Sequence, residues 1–179
     1  MASDMQELML AAFAGNTLPT EQFGGHRALF EQNRSRILAI AFWMTDNELV
    51  AEGLMRRTFL RALTAGVAPS KEGLDRALVA ELRALVPIGA LTLECTPPPH
   101  PVGMRYNTLR IHLERAVVQL PPTERLIFVM HDVDGYSHAR IAGLLDISEV
   151  ESQFGLHQAR LRVRELVAAM EHAPFAAAC

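Results

Sequence analysis

Residues 120–160 read LPPTERLIFVMHDVDGYSHARIAGLLDISEVESQFGLHQAR, and this stretch decides the fold. Pro121-Pro122 stops one helix and opens the next, because proline lacks an amide donor yet fits the first helical turn. Thr123–Val133 reads as a helix closed by Asp134-Gly135, where glycine supplies a left-handed cap. Ser137–Leu145 is a short helix, followed by the turn Leu145-Asp146-Ile147. Ser148 then opens a long final helix to about Glu171, in which Leu156, Ala159, Val163, Leu166, Val167 and Met170 form one apolar stripe. Arg160, Arg162 and Arg164 lie off that stripe. Two helices joined by a short turn are the outline of a helix-turn-helix, whose second helix enters the DNA major groove.

Outward from this stretch, the rest of the chain is also helix-patterned. Thr108–Leu120 is a helix ending at the prolines. Before it, residues 87–107 hold five of the ten prolines (Pro87, Pro97, Pro98, Pro99 and Pro101), so Thr96–Pro101 reads as extended linker. The first block begins with a short apolar helix, Met5–Phe13, ended by Gly15-Asn16. Arg27–Met44 then carries Leu29, Phe30, Ile37, Leu38, Ala41 and Met44 at helical steps. Thr45-Asp46-Asn47-Glu48 reads as a capping box for the next helix, along which Val50, Leu54, Met55, Phe59, Ala62 and Leu63 recur. Leu74–Val86 is a third helix, ended by Pro87. The expected fold is all-α: two helical domains joined by a Pro-rich linker, the second containing the helix-turn-helix. The expected boundaries are an N-terminal extension 1–23, a first domain 24–86, a linker 87–107, a second domain 108–172 and a tail 173–179.

Composition bounds the function. The chain has 179 residues, 50% hydrophobic and 21% charged, enough apolar content for a packed core. No apolar run approaches the length of a membrane span and no signal segment opens the chain, so a cytoplasmic protein is expected. Two cysteines, Cys95 and Cys179, exclude a disulfide framework or a four-thiolate zinc site. A formal charge of −3 gives no global attraction to nucleic acid, so any DNA binding must be local.

The words within the stretch are more specific than its outline. Leu120-Pro121-Pro122-Thr123-Glu124-Arg125, Asp132-Val133-Asp134-Gly135-Tyr136-Ser137, Arg140-Ile141-Ala142, Leu145-Asp146-Ile147-Ser148-Glu149 and Leu156-His157-Gln158-Ala159-Arg160 follow in order. They resemble the carboxy-terminal domain of extracytoplasmic-function sigma factors, of the sigma-70 family. That domain reads L-P-x-x-x-R, then E-G-Y-S-x-x-E-I-A, then L-G-I-S-x-G-T-V-K-S-R-L-H-R-A-R. Ile37–Leu63, with Ala51-Glu52 and Thr58-Phe59-Leu60-Arg61-Ala62-Leu63, looks like the core-polymerase-binding helices of the same family. The resemblance covers about residues 25–66 and 108–168. It implies core RNA polymerase and promoter DNA as partners, with an anti-sigma factor as a third partner of the kind such proteins have. It implies no cofactor, no metal, no small-molecule substrate and no enzymatic activity. DNA contacts would come from Arg140, Ser148, Glu149, Gln153, Phe154, His157, Gln158, Arg160, Arg162 and Arg164. Polymerase contacts would come from Leu54, Arg56, Arg57, Phe59 and Arg61.

The departures from the family pattern are equally informative. Its G-T-V-K-S-R segment is here Val150-Glu151-Ser152-Gln153-Phe154-Gly155, so Gln153 and Gly155 stand where the resemblance implies Lys and Arg against phosphate. Residues 108–172 carry seven arginines against nine acids, a net of −2. Each phosphate left without a basic partner removes about 0.9 from the salt slope of DNA binding. Glu151 completes a capping box with Ser148 or else reads a base. Ser152 falls where the stripe expects a hydrophobe, which denies Ile147 a staple partner and predicts a looser helix start. Gly155 costs the helix about 1 kcal/mol relative to Ala. Phe154, off the stripe and expected to be exposed, suits a thymine methyl or a protein interface. In the first domain, Arg56-Arg57 reverses the acidic charge of the family pattern, as a solvated face or as a retuned partner surface. The family's Trp- and Asn-containing melting helix is matched by Leu74–Arg83, which has no aromatic residue, and the sole Trp, Trp43, is assigned to core. Cys95 and His100 in a proline-rich loop do not make a zinc site, and His131-Asp132 as sequence neighbours give no acid–base geometry.

Two functions follow from these residues. One is a transcription-initiation factor that binds core polymerase and promoter DNA. The other is a sigma-like protein-binding regulator, an anti-sigma partner or mimic, that has lost DNA reading.

Overall fold

The structure, a computed structural model, describes residues 20–65, 68, 70–97 and 109–172. It divides into two compact units at Pro87/Ile88. Every regular element among the described residues is a helix. None of these helices is long and apolar enough to cross a membrane. The Met5–Phe13 helix and most of the proline cluster lie outside the described residues.

The first unit holds α1 (Thr20–Thr45), α2 (Glu48–Leu63) and α3 (Lys71–Arg83). Phe30, Ile37 and Ile40 of α1 meet Leu54 and Phe59 of α2 and Leu74, Leu78 and Leu82 of α3 in one buried core. Each such side chain contributes roughly 1.5–3 kcal/mol through burial. The Phe30 and Phe59 rings sit 4.8 Å apart at a tilt of 56°, within the favoured range for aromatic pairs. Arg36 reaches Asp75 at 2.8 Å, and that carboxylate is only 1% exposed. A charge so deep persists because its partner is supplied.

Three local expectations are corrected in this unit. The α2 cap is Asn47, whose side chain accepts from Val50 N at 3.1 Å, rather than a Thr45/Glu48 box. Thr45 is still the last residue of α1, and its hydroxyl donates back to Ala41 O at 2.8 Å; Asp46, with φ 50°, then turns the chain. Trp43 is half-buried rather than in the core, and its neighbour Phe42 is 44% exposed. The third helix also starts earlier than Leu74, because Ser70 caps it by accepting from Gly73 N at 3.0 Å.

The second unit holds α4 (Arg110–Val118), α5 (Pro122–Phe128, prolonged by a π turn Val129–Val133), α6 (His138–Leu145) and α7 (Glu149–His172). The long α7 packs across α4, α5 and α6. Several family-like words turn out to be architectural. Arg125 donates through Nε and Nη2 to Leu120 O, at 3.1 and 2.8 Å, which ties the proline turn to the start of α5. Gly135, at φ 71°, ends the π turn. Ser137 caps α6 by accepting from Arg140 N. Asp146 takes the left-handed conformation (φ 59°, ψ 47°) between α6 and α7, a place that glycine and short polar residues tolerate best.

Residues 88–97 do not behave as free linker. Within the second unit Gly89 N donates to Thr123 Oγ1 at 3.0 Å, Thr92 N and Leu93 N donate to Glu124 Oε1, and Cys95 N donates to Gln158 Oε1. Leu91, Leu93 and Cys95 are half-buried while Thr92, Glu94 and Thr96 are exposed. This period of two is that of an extended chain lying on a surface. The segment is a strap over α5 and α7.

Candidate nucleic-acid interface

The helix-turn-helix consists of α6, the turn through Asp146 and the first turns of α7. Its start is fixed by a complete capping box: Glu151 N donates to Ser148 Oγ at 3.1 Å, while Ser148 N and Oγ each donate to Glu151 Oε2 at 2.7 Å. These bonds from Ser148 hold the Glu151 carboxyl below its usual range. Of the two roles open to Glu151, the cap is the one the geometry shows. Ser148 remains exposed while its hydroxyl serves the same cap.

Ser152 is fully buried, and its hydroxyl finds a partner in His138, with Nδ1 and Oγ 3.0 Å apart. The looser helix start expected from its polarity is thus offset by the cap and this bond. Around it the structure assembles a cluster that sequence neighbours alone did not reveal. The His131 and His138 rings stack with centroids 4.4 Å apart. His131 Nδ1 donates to Asp132 Oδ1 at 2.9 Å. Arg160 grips the same carboxylate with Nε at 3.0 Å and Nη2 at 2.6 Å. Burial pushes the Asp132 carboxyl up, but the bonds from Arg160 and His131 outweigh it and hold it below the usual range. Burial, helped by the neighbouring His131, pushes the His138 imidazole down, so its neutral form is favoured.

The face α7 presents is formed by Glu149, Val150, Gln153, Phe154, His157, Arg160 and Arg164, all exposed. Val150 and Phe154, one turn apart, are 72% and 47% exposed. The arginines are less available than their number suggests. Arg160 is committed to Asp132, Arg162 pairs with Glu165 at 3.1 Å, and the Arg140 guanidinium lies 4.7 Å over the Tyr136 ring. Arg164 makes no ion pair among the described residues.

Gln158 is corrected: it is 6% exposed and receives the strap amide of Cys95, so it is a strap receptor and not a base reader. Gly155 has the same explanation. A Cβ there would come within 2.8 Å of Leu91 and 2.9 Å of Ile127, closer than side chains pack, so the strap and α5 require glycine at this point. The floor of the strap is completed by Glu124, a fully buried carboxylate on α5. The alternation in Leu91-Thr92-Leu93-Glu94-Cys95-Thr96 was the sequence signal for it.

In the first unit, Leu54 and Phe59 are fully buried and therefore core residues, not polymerase contacts. Arg57 and Arg61 both grip Glu81, at 3.1 and 2.8 Å, and thereby join α2 to α3. Arg56 remains exposed on the same helix.

With this geometry in place, comparison with known families gives one result: residues 110–163 match the family model described as Sigma-70, region 4. The match spans α4 to the middle of α7 and leaves the strap outside it. Over these residues the second unit is similar to sigma-70 region 4, and the match supports a sigma-factor-like role in transcription initiation. None of the curated proteins compared with the chain matches it.

Proposed function

We propose that this chain, carrying a sigma-70 region 4 at its second unit, is a transcription-initiation factor of the extracytoplasmic-function type, acting in the cytoplasm. The first unit docks on core RNA polymerase, with Arg56 and the Glu81-anchored Arg57 and Arg61 as its basic face. The first turns of α7 enter the major groove of a promoter element. The observation that carries this reading is the exposed face Glu149–Gln153–Phe154–His157 on the second helix of a region-4-type helix-turn-helix. Glutamine can pair bidentately with adenine, glutamate can accept from cytosine and phenylalanine can pack on a thymine methyl. Phosphate contacts fall mainly to Arg164, since Arg160 and Arg162 are engaged with acids.

A second reading is favoured by one specific observation. The first three turns of α7 pair exposed apolar residues, Val150 and Phe154, with acids and hold no lysine or arginine. Such a face suits contact with a protein partner, as in a sigma-like regulator that has itself lost DNA reading.

The test is titration of labelled protein with bacterial core RNA polymerase, followed by duplex binding at several salt concentrations. Saturable polymerase binding abolished by Arg56→Glu/Arg57→Glu, with a DNA salt slope of about −1 to −3 for one to three phosphates engaged, supports the initiation factor. No binding at micromolar polymerase moves the assignment to the protein-binding regulator.

A further inference from the structure

The strap occupies a built receptor. Three backbone amides (Thr92, Leu93 and Cys95) and a fourth at Gly89 are received by side chains of α5 and α7. Leu91 fills the space left by Gly155. The receptor positions on α7, residues 155 and 158, flank the exposed face next to Phe154. A helix seated in the major groove needs both flanks near the phosphate backbones. Here one flank is covered by polypeptide, and the strap's outward side carries the exposed Glu94.

We propose that residues 89–95 are an intramolecular ligand of the second unit, and that their docking and the seating of α7 on duplex DNA exclude each other. The proposal rests on the DNA reading of α7 given above. Gly155 and Gln158 serve the strap instead of DNA: the first by leaving room for Leu91, the second by accepting the Cys95 amide. Glu124 anchors the docked segment: the Oε1 of its buried carboxylate receives the amides of both Thr92 and Leu93, and hydrogen bonds to an ionised acceptor are stronger than neutral ones. The strap's half-buried apolar positions give it a modest hold, as suits a ligand that must leave.

The experiment compares the full chain with a release variant, Leu91→Asp/Thr92→Pro, which removes the apolar anchor and one amide. Affinity for a fluorescent 20-base-pair duplex of random sequence is measured by anisotropy at low salt. Release should tighten binding about tenfold, the factor by which a docked-to-undocked ratio of about ten suppresses a competing ligand. A synthetic peptide of residues 88–97 added in trans should reverse the gain. Equal affinities with helical content intact overturn the proposal, as does weaker binding by the release variant, which would make the strap part of the DNA-reading surface. No duplex binding by either protein rejects the DNA reading itself, and the proposal with it. If the variant does not fold, hydrogen exchange on the unaltered chain decides. The amides of Thr92, Leu93 and Cys95 should lose protection when duplex is added, and unchanged or greater protection refutes the competition.

Discussion

Gly155→Ala is the substitution whose outcome most directly tests the strap's packing. In an open helical position, glycine to alanine stabilises by about 1 kcal/mol, because alanine loses less backbone freedom on folding. Gly143 in α6 is such a position, where a Cβ would meet nothing within 4 Å beyond its chain neighbours and its own helix backbone. At Gly155 the new methyl would meet Leu91 Cδ2 at 2.8 Å and Ile127 Cδ1 at 2.9 Å. Leu91 can yield by lifting with the strap, but Ile127 is fully buried in α5 and cannot. Overpacking of this kind costs roughly 1–3 kcal/mol, which cancels or exceeds the propensity gain. Gly155→Ala is therefore expected to be neutral to about 2 kcal/mol destabilising, while Gly143→Ala stabilises. Leu91→Ala removes one of the two obstacles. The double variant Leu91→Ala/Gly155→Ala should then fall short of additivity by about 0.5–1 kcal/mol, as neighbours that share a space do. The assay is urea unfolding of the full chain by far-UV circular dichroism, following the transition of the second unit at constant m value. A Gly155→Ala variant as stabilised as Gly143→Ala would show that the methyl meets no obstacle, and would refute the packing argument.

Two further outcomes follow from charges that folding has placed. Asp75→Ala should destabilise the first unit by about 3–5 kcal/mol in the same unfolding assay, because it strands Arg36 without its buried partner; a loss below 1 kcal/mol would reduce the pair to a surface interaction. The His138 imidazole is pushed below its ordinary value of 6.5 by burial first and then by His131 and Arg160, against the opposing Glu149 and Asp132. The unfolded chain therefore takes up that proton first. Stability should fall as pH drops from about 6.5 toward the folded-state value and flatten below it. Comparison with His138→Gln between pH 7.5 and 5.5 isolates this contribution from that of His26, also lowered by burial. An identical slope in the variant would remove His138 as the cause.

Much of the architecture is local and could be read from the chain alone. Pro121-Pro122, Gly135 and Ser148 with Glu151 mark boundaries by the donors they lack, the φ they permit and the amides they bond, and the structure places helix ends at or near them. The apolar steps of Phe30, Ile37, Leu54 and Phe59 signalled a core face in the same way, although the family resemblance also offered Leu54 and Phe59 as contacts. Burial decides between those roles, and burial is a property of the packed unit. The Thr45/Glu48 box failed for a different reason. Thr45 and Asn47 both have side chains able to cap, and the preceding helix kept Thr45 by giving its hydroxyl the Ala41 carbonyl.

The candidate interface divides along the same line. Residue type and a period of 3.6 are enough to establish that α7 has one apolar stripe, that Phe154 lies off it and that its first three turns carry no lysine or arginine. Packing settles which arginines are available, because Arg160 meets Asp132 across 28 positions of chain. It also decided what Gly155 and Gln158 are for, because the strap that needs them comes from more than sixty residues upstream. A helical period fixes which side of a helix is apolar. What lies against that side, and which charges are neutralised there, depends on contacts between distant segments that a one-dimensional pattern does not encode.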